Sequence, residues 1–148
     1  VDLTEDHKPD APRELERIFR HGGMVTWDEG TGVYRINGNL AVARTIGDAD
    51  HRPWVSGEVE IRTLEIDRES DQFVILASDG LWDVMSSEEA VQYVHSTMGR
   101  SLGAGSKERE EERALNEAGS KKMASYLTAE AMGRGSMDNT TVAIVWLQ

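Results

Sequence analysis

The stretch Phe73-Val74-Ile75-Leu76-Ala77-Ser78-Asp79-Gly80-Leu81-Trp82-Asp83-Val84 decides the fold class. Five apolar residues run unbroken into Ser-Asp-Gly, the pattern of a strand buried on both faces with polar residues at its C-terminal lip. Just after it, Ser86-Ser87-Glu88-Glu89 forms a capping box, Ser86 with Glu89, that opens an amphipathic helix. Ala90, Val91, Val94 and Met98 fall on the inner face of that helix. A further helix over 121–132 carries Met123, Ala124, Leu127 and Ala131 at helical spacing and ends at Gly133 and Gly135. Thr140–Leu147 closes the chain, apolar on both faces, as a second fully buried strand. Buried strands flanked by amphipathic helices imply a layered α/β or α+β domain.

Upstream, Pro12 sits in the first turn of a short helix with Leu15, Ile18 and Phe19 on one face, stopped by Gly22-Gly23. Met24–Trp27 and Val33–Ile36 are short strands around the hairpin loop Asp28–Gly32. Residues 37–54 are rich in Gly, Asp and Arg and predict irregular chain. Val59, Ile61 and the Leu64/Ile66 pair alternate as in a strand with one register irregularity. The stretch 99–119 is the least structured, and its charge run 107–113 is a solvated loop or exposed helix.

The 148 residues carry a net charge of -11, which opposes binding to nucleic-acid phosphates and anionic lipid. There are no cysteines, which excludes disulfides, thiolate catalysis and Cys-ligated zinc and fits an intracellular protein. No apolar run is long enough to span a membrane as a helix. The first seven residues lack the basic and apolar regions of a signal peptide, and with no initiating Met the chain has the look of an excised piece.

The chemistry lies in the placement of two carboxylates. Asp79 follows one core strand directly, and Asp138 precedes the other after Gly135-Ser136-Met137. A carboxylate at the end of a core strand is costly unless neutralised, and the nearest basic residue in sequence is Arg134. A divalent cation is a reasonable partner, and hard oxygen donors favour magnesium, manganese or calcium over zinc. The plainer alternative is that Asp-Gly and Asp-Asn are turn or capping residues. Asp48-Ala49-Asp50 fails the EF-hand spacing because Arg52 stands where an oxygen ligand is required. Gly30-Thr31-Gly32 is not a dinucleotide fingerprint, with Arg35 in place of the third glycine. None of the four histidines, His7, His21, His51 and His95, pairs with a carboxylate at metal-ligand spacing.

Three blocks, in order, resemble the C-terminal signature of the PP2C-type metal-dependent serine/threonine protein phosphatases. They are Leu3-Thr4-Glu5-Asp6-His7-Lys8-Pro9 with Glu16-Arg17-Ile18 and Gly22-Gly23; then Arg35–Arg44 leading to Gly47-Asp48; then Phe73–Val84 paired with Gly135–Val142. The resemblance implies an α+β fold, part of an α-β-β-α layered sandwich with mainly antiparallel strands and flanking helices. It implies a single partial domain over 1–148, with a flap over about 8–38 and a variable insert over about 99–119.

It further implies that Asp79 and Asp138 are metal ligands, with Gly80, Asn139 and Asp48 as neighbours of the metal site. Asp48 and Asp83 fit structural caps or outer groups better than direct ligands. His7, Lys8 and Trp27 belong to the flap, as contacts for substrate or partner, although Trp27 packing its own hairpin is the simpler role. The implied reaction is hydrolysis of phosphoserine or phosphothreonine in proteins by a water activated between two Mn2+ or Mg2+ ions.

The family's Asp-Gly-His-Gly-Gly block does not occur in this sequence. The expectation is a chain that supplies only part of the site, with little or no activity alone. Its partners would be a phosphoprotein substrate and, through strand edges left open, a second copy of itself. Two other readings are a non-catalytic regulatory or protein-binding module of the same fold, and a calcium-binding structural domain. Retention of both Asp79 and Asp138 weighs against the first.

Overall fold

The computed structural model describes residues 1–99 and 109–147, with side chains described for 1–98 and 119–147. The chain separates into two compact units, one over Asp2–Thr63 and the other from Leu64 onward. Both are built from helices and two-stranded antiparallel sheets, in keeping with the expected α+β class.

In the first unit, α1 (Pro12–Arg20) has Pro12 at its start, where a missing N–H costs nothing. Strands β1 (Val25–Asp28) and β2 (Val33–Ile36) pair antiparallel, with Val25 opposite Ile36 and Asp28 opposite Val33. Asp28 organises the hairpin loop: its carboxylate accepts from the Gly30 N–H, Thr31 Oγ1 and Arg35 Nε. At the other end, Asn37 takes a left-handed conformation and exchanges backbone and side-chain hydrogen bonds with Met24. Ile18, Ile36, Ala43 and Val55 make the core of this unit. Gly23 is required beneath it, since a Cβ there would lie 2.5 Å from Trp54 Cδ1 and 2.8 Å from Ile18 Cγ2.

The apolar face expected on α1 is corrected at two positions. Phe19 is exposed, and the buried neighbour of Ile18 is Glu14, only 2% exposed. Its Oε2 accepts Arg17 Nε and Nη2 at 3.1 and 2.8 Å, and its Oε1 accepts Arg44 Nε at 2.8 Å and Arg44 Nη2. Arg17 also donates to the carbonyls of Trp54 (2.7 Å) and Ala43 (2.9 Å). A charge this deep survives because every oxygen is matched by a guanidinium. Burial pushes the Glu14 carboxyl up, but hydrogen bonds from Arg44 and Arg17, backed by their charges, outweigh it and hold it below the ordinary value.

In the second unit, β3 (Phe73–Ala77) and β4 (Val142–Trp146) pair antiparallel, with Phe73 opposite Trp146 and Ala77 opposite Val142. A short helix, α2 (Asp79–Trp82), follows β3 and is tied back to it by Trp82 Nε1 donating to the Ala77 carbonyl. Helix α3 (Ser87–Gly99) opens on the expected capping box: the Ser86 N–H and hydroxyl donate to Glu89 Oε2, and Ser86 Oγ accepts the Glu89 N–H. Leu81, Met85, Ala90, Val94, Met123, Leu127 and Ala131 form the core, at roughly 1.5–3 kcal/mol for each large side chain removed from water.

Three expectations for the chain from residue 59 onward are corrected. The strands are covered on one face only: Phe73, Ile75, Ala77, Val142, Ile144 and Trp146 pack on the core, while Leu76 and Val145 on the other face are half exposed. The helices pack on a single side of this two-stranded sheet. Residues 59–66 form no strand, having no partner strand among the described residues. Helix α4 (Arg109–Gly133) begins well before Lys121 and runs through Gly119. Residues 100–108 of the expected insert lie outside the described residues. No described helix is long and apolar enough to cross a membrane.

Two outcomes follow from these ion pairs. Glu14→Ala leaves two guanidinium groups without their acceptor and should lower stability by about 3–5 kcal/mol, read from urea unfolding by tryptophan fluorescence. Glu89 is held at about 2 by hydrogen bonds from the Ser86 backbone, Arg134 and the Ser86 hydroxyl. Its stabilising effect is therefore complete above its ordinary value near 4.5 and is lost as pH falls toward 2. The difference in Tm between wild type and Glu89→Gln should be largest above pH ~4.5 and close toward pH ~2 in thermal melts.

Candidate metal centre

Two turns of the Leu64 unit meet at the C-terminal lip of β3. One is Ser78–Gly80, between β3 and α2; the other is Ser136–Thr141, between α4 and β4. Ser78 bridges them three times. Its N–H donates to the Thr141 carbonyl, its Oγ accepts the Thr141 N–H, and its hydroxyl donates to the Asn139 carbonyl, each at 3.0 Å. Ser136 Oγ donates to the Gly80 carbonyl at 2.6 Å. A Cβ on Gly80 would stand 2.8 Å from the Asn139 carbonyl oxygen and 2.7 Å from Thr140 Oγ1, so only glycine permits this approach.

Asp79 and Asp138 sit within these joined turns. Asp79 Oδ1 accepts the Gly80 N–H at 3.0 Å, and Asp138 Oδ1 accepts the Asn139 N–H at 2.6 Å. The second oxygen of each carboxylate accepts no hydrogen bond among the described residues. Neither carboxylate has an ion-pair partner there either. Arg134, the nearest basic residue in sequence to Asp138, is taken by Glu89 at 2.7 Å and Glu130 at 2.9 Å. Both aspartates are exposed, so the expected burial cost at a core strand end is absent. Water solvates these carboxylates, and a cation would find them open rather than compelled.

The donor set suits a hard, hydrated divalent cation. It offers carboxylate oxygen, it is open to solvent, and no competing ammonium or guanidinium occupies it. Among the described residues no group of three or more His, Asp or Glu comes together as a metal site. Asp79 and Asp138 thus have no such cluster around them among the described residues.

The other candidate residues fall elsewhere. Gly80 and Asn139 are part of the seam itself. Asp83 closes α2, its N–H donating to the Asp79 carbonyl at 2.8 Å. Asp48 belongs to the Asp2–Thr63 unit and opens the short 3-10 turn Ala49–His51 in a left-handed conformation. Its side chain makes no capping bond, so of the two expected roles, cap or outer group, the first is not seen. His7 lies 3.7 Å from Glu14 and 3.2 Å from Glu60, while Lys8 is exposed near Asp6. Trp27 is half exposed and packs edge-on against Tyr34, ring centroids 5.0 Å apart, as the simpler reading of its hairpin predicts. Ser78 and Ser136, which fasten the seam, carried no signal beyond their place next to the aspartates.

Residues 1–140 match the sequence model of the family described as Protein phosphatase 2C. The chain belongs to the protein phosphatase 2C family. Its relatives include Protein phosphatase 1E of Mus musculus, 37% identical over 148 residues, and Probable protein phosphatase 2C 24 of Arabidopsis thaliana, 40% identical over 149. All of this chain is covered in both, but only 17% and 39% of those relatives. Among solved structures, one described as a C. elegans sex determining protein matches with a TM-score of 0.80 at 29% identity, over 99% of this chain and 32% of that one. The serine-threonine phosphatase 2C from Toxoplasma gondii matches with a TM-score of 0.71 at 28% identity, over 99% of this chain and 46% of that one. The chain thus has the protein phosphatase 2C fold and spans less than half the length of each of these proteins.

The seam predicts the effect of one methyl group. Gly80→Ala forces its Cβ into the backbone of Asn139, which has no flexible end to move aside. The expected loss is about 1–3 kcal/mol, seen as a lower Tm, with faster amide exchange at Thr141 as the turns part.

Proposed function

We propose that the chain contributes to hydrolysis of phosphoserine or phosphothreonine in proteins, with Asp79 and Asp138 holding part of a manganese or magnesium site. The observation that carries this reading is the seam. Ser78, Gly80 and Ser136 fasten two turns so that two unpaired carboxylates stand at one lip of the sheet in a protein phosphatase 2C chain.

The cations would lower the pKa of a water and neutralise phosphate charge. The chain's own residues serve by position. The Gly80 and Asn139 N–H groups each hold one carboxylate oxygen, which turns the other oxygen of each aspartate free. Backbone donors of this kind fix a ligand's orientation before any cation arrives. Both aspartates act as ligands and charge, and no protein nucleophile is required. Each divalent ion seeks about six oxygen donors. Two carboxylates leave most of these positions to water or to further protein, so the chain by itself supplies part of a site. The non-catalytic alternative lacks support of this kind, since a binding surface needs no matched pair of open aspartates.

Calorimetric titration with Mn2+ tests the assignment on the 148-residue chain. Weak binding is expected, at least tenfold weaker in Asp79→Asn and in Asp138→Asn, with both variants folded as wild type by circular dichroism. Binding unchanged in both variants would remove the metal assignment. Hydrolysis of p-nitrophenyl phosphate by the chain, lost in Asp79→Asn, would instead overturn the part-site reading and leave the ligands standing.

A further inference from the structure

The hydrogen bonds of the seam cross between its two turns. Asp79 Oδ1 is held by the Gly80 N–H, and the carbonyl of that same Gly80 is gripped by Ser136, which lies on the other turn two residues before Asp138. Asp138 Oδ1 is held by the Asn139 N–H, and the carbonyl of that same Asn139 is gripped by Ser78, which directly precedes Asp79. Each carboxylate is oriented by its own neighbour, and that neighbour is fixed by a hydroxyl from the opposite turn.

Both hydroxyls stand on rigid elements. Helix α4 closes with the Ser136 N–H donating to the Ala131 carbonyl at 3.0 Å and the Gly135 N–H donating to the Met132 carbonyl at 3.1 Å. With Gly135 left-handed at φ 93°, this is the Schellman closure of a helix, and Ala131 beneath it is fully buried. Ser78 continues the β3–β4 ladder, its N–H donating to the Thr141 carbonyl and its Oγ accepting the Thr141 N–H. The two serines are half-buried, while the two aspartates are exposed. The supports are thus partly shielded from water, and the carboxylates they support are not.

We propose that Ser136 and Ser78 are positioning residues for cation binding and that they act crosswise. Ser136 sets Asp79 through Gly80, and Ser78 sets Asp138 through Asn139. The proposal rests on the reading of Asp79 and Asp138 as ligands of a hard divalent cation. An exposed carboxylate that is free to rotate loses that freedom when it binds, and a support that orders it beforehand lowers the cost. In a simple fastening, loss of either hydroxyl would loosen both carboxylates alike. In the crossed arrangement, loss on one turn is felt by the carboxylate of the other.

Calorimetric titration of the 148-residue chain with Mn2+, in single and double variants, tests this. Ser136→Ala should weaken binding about tenfold, and Ser136→Thr, which keeps the hydroxyl, should recover most of the loss. In Asp138→Asn the same Ser136→Ala change should weaken binding further, whereas in Asp79→Asn it should add nothing. Ser78→Ala should show the mirror pattern. Further loss of equal size in both backgrounds would overturn the crossed assignment, as would a Ser136→Ala chain that binds Mn2+ as wild type does. Circular dichroism checks the fold of each variant, and Ser136→Ala, which gives up one hydrogen bond, carries the test if Ser78→Ala unfolds.

Amide exchange of the metal-free chain reads the same supports without a cation. Ser136→Ala should speed exchange at Gly80 more than at Asn139, and Ser78→Ala the reverse. Equal changes at both amides would overturn the proposal whatever the metal does. Mn2+ binding indifferent to both Asp79→Asn and Asp138→Asn would remove the ligand reading and with it the role in cation binding. A crossed exchange pattern in that case would place the failure in the cation and not in the clasp.

Discussion

The approach of Gly80 to the backbone of Asn139 fixes where both candidate ligands stand. Strands β3 and β4 already pair in register from Phe73–Trp146 to Ala77–Val142, and Ser78 extends that ladder by one more step to Thr141. Beyond Ser78 the two chains must diverge, one into α2 and the other back toward α4. With no Cβ at Gly80, they diverge only after the turns have touched. The carboxylates are the outward consequence of that contact. The inward consequence is that Leu81, fully buried, takes its place among Met85, Met123 and Leu127. Site and core thus share a support, and damage to the seam would reach both.

Electrostatics divides differently between the two units. In the Asp2–Thr63 unit, Arg17 and Arg44 are spent inside on Glu14, where each guanidinium also serves backbone carbonyls. In the other unit, Arg134 is spent at the surface on Glu89 and Glu130. Basic residues are outnumbered, 16 Lys and Arg against 27 Asp and Glu, so pairing some acids leaves others unpaired. Asp79 and Asp138 are among those left. An acidic chain with open carboxylates on ordered turns attracts cations generally, and the Gly80 and Asn139 N–H groups hold one oxygen of each carboxylate in place.

The sequence pattern carried the local features well. The capping box at Ser86, the hairpin around Asp28–Gly32 and the helix stop at Gly22 follow from chemistry confined to a few neighbouring residues, which a sequence displays directly. The position of Asp79 just after β3 and of Asp138 shortly before β4 was legible from the apolar runs beside them. Burial was less legible. An unbroken apolar run such as Phe73–Ala77 states that both faces can be covered, not that both are, and here the helices reach only one. The alternation at Val59–Ile66 has the same standing, since a strand needs a partner that its own residues do not specify. Glu14 was invisible for a different reason. A buried carboxylate is intelligible only with Arg44 beside it, and Arg44 lies thirty positions along the chain, beyond the rest of α1 and the β1–β2 hairpin. The expected cost of a carboxylate at the end of a core strand is likewise absent here, since Asp79 and Asp138 are both exposed.

That openness bears on how a cation would couple to folding. Two carboxylates buried together would repel strongly and make the fold depend on metal, as in small domains that unfold without it. Exposed on turns fastened by neutral hydrogen bonds, they burden the fold little. Any cation would then meet a structure already formed, with stabilisation growing only as the logarithm of ion concentration over the dissociation constant. Tight binding would require further oxygen donors to close over the lip.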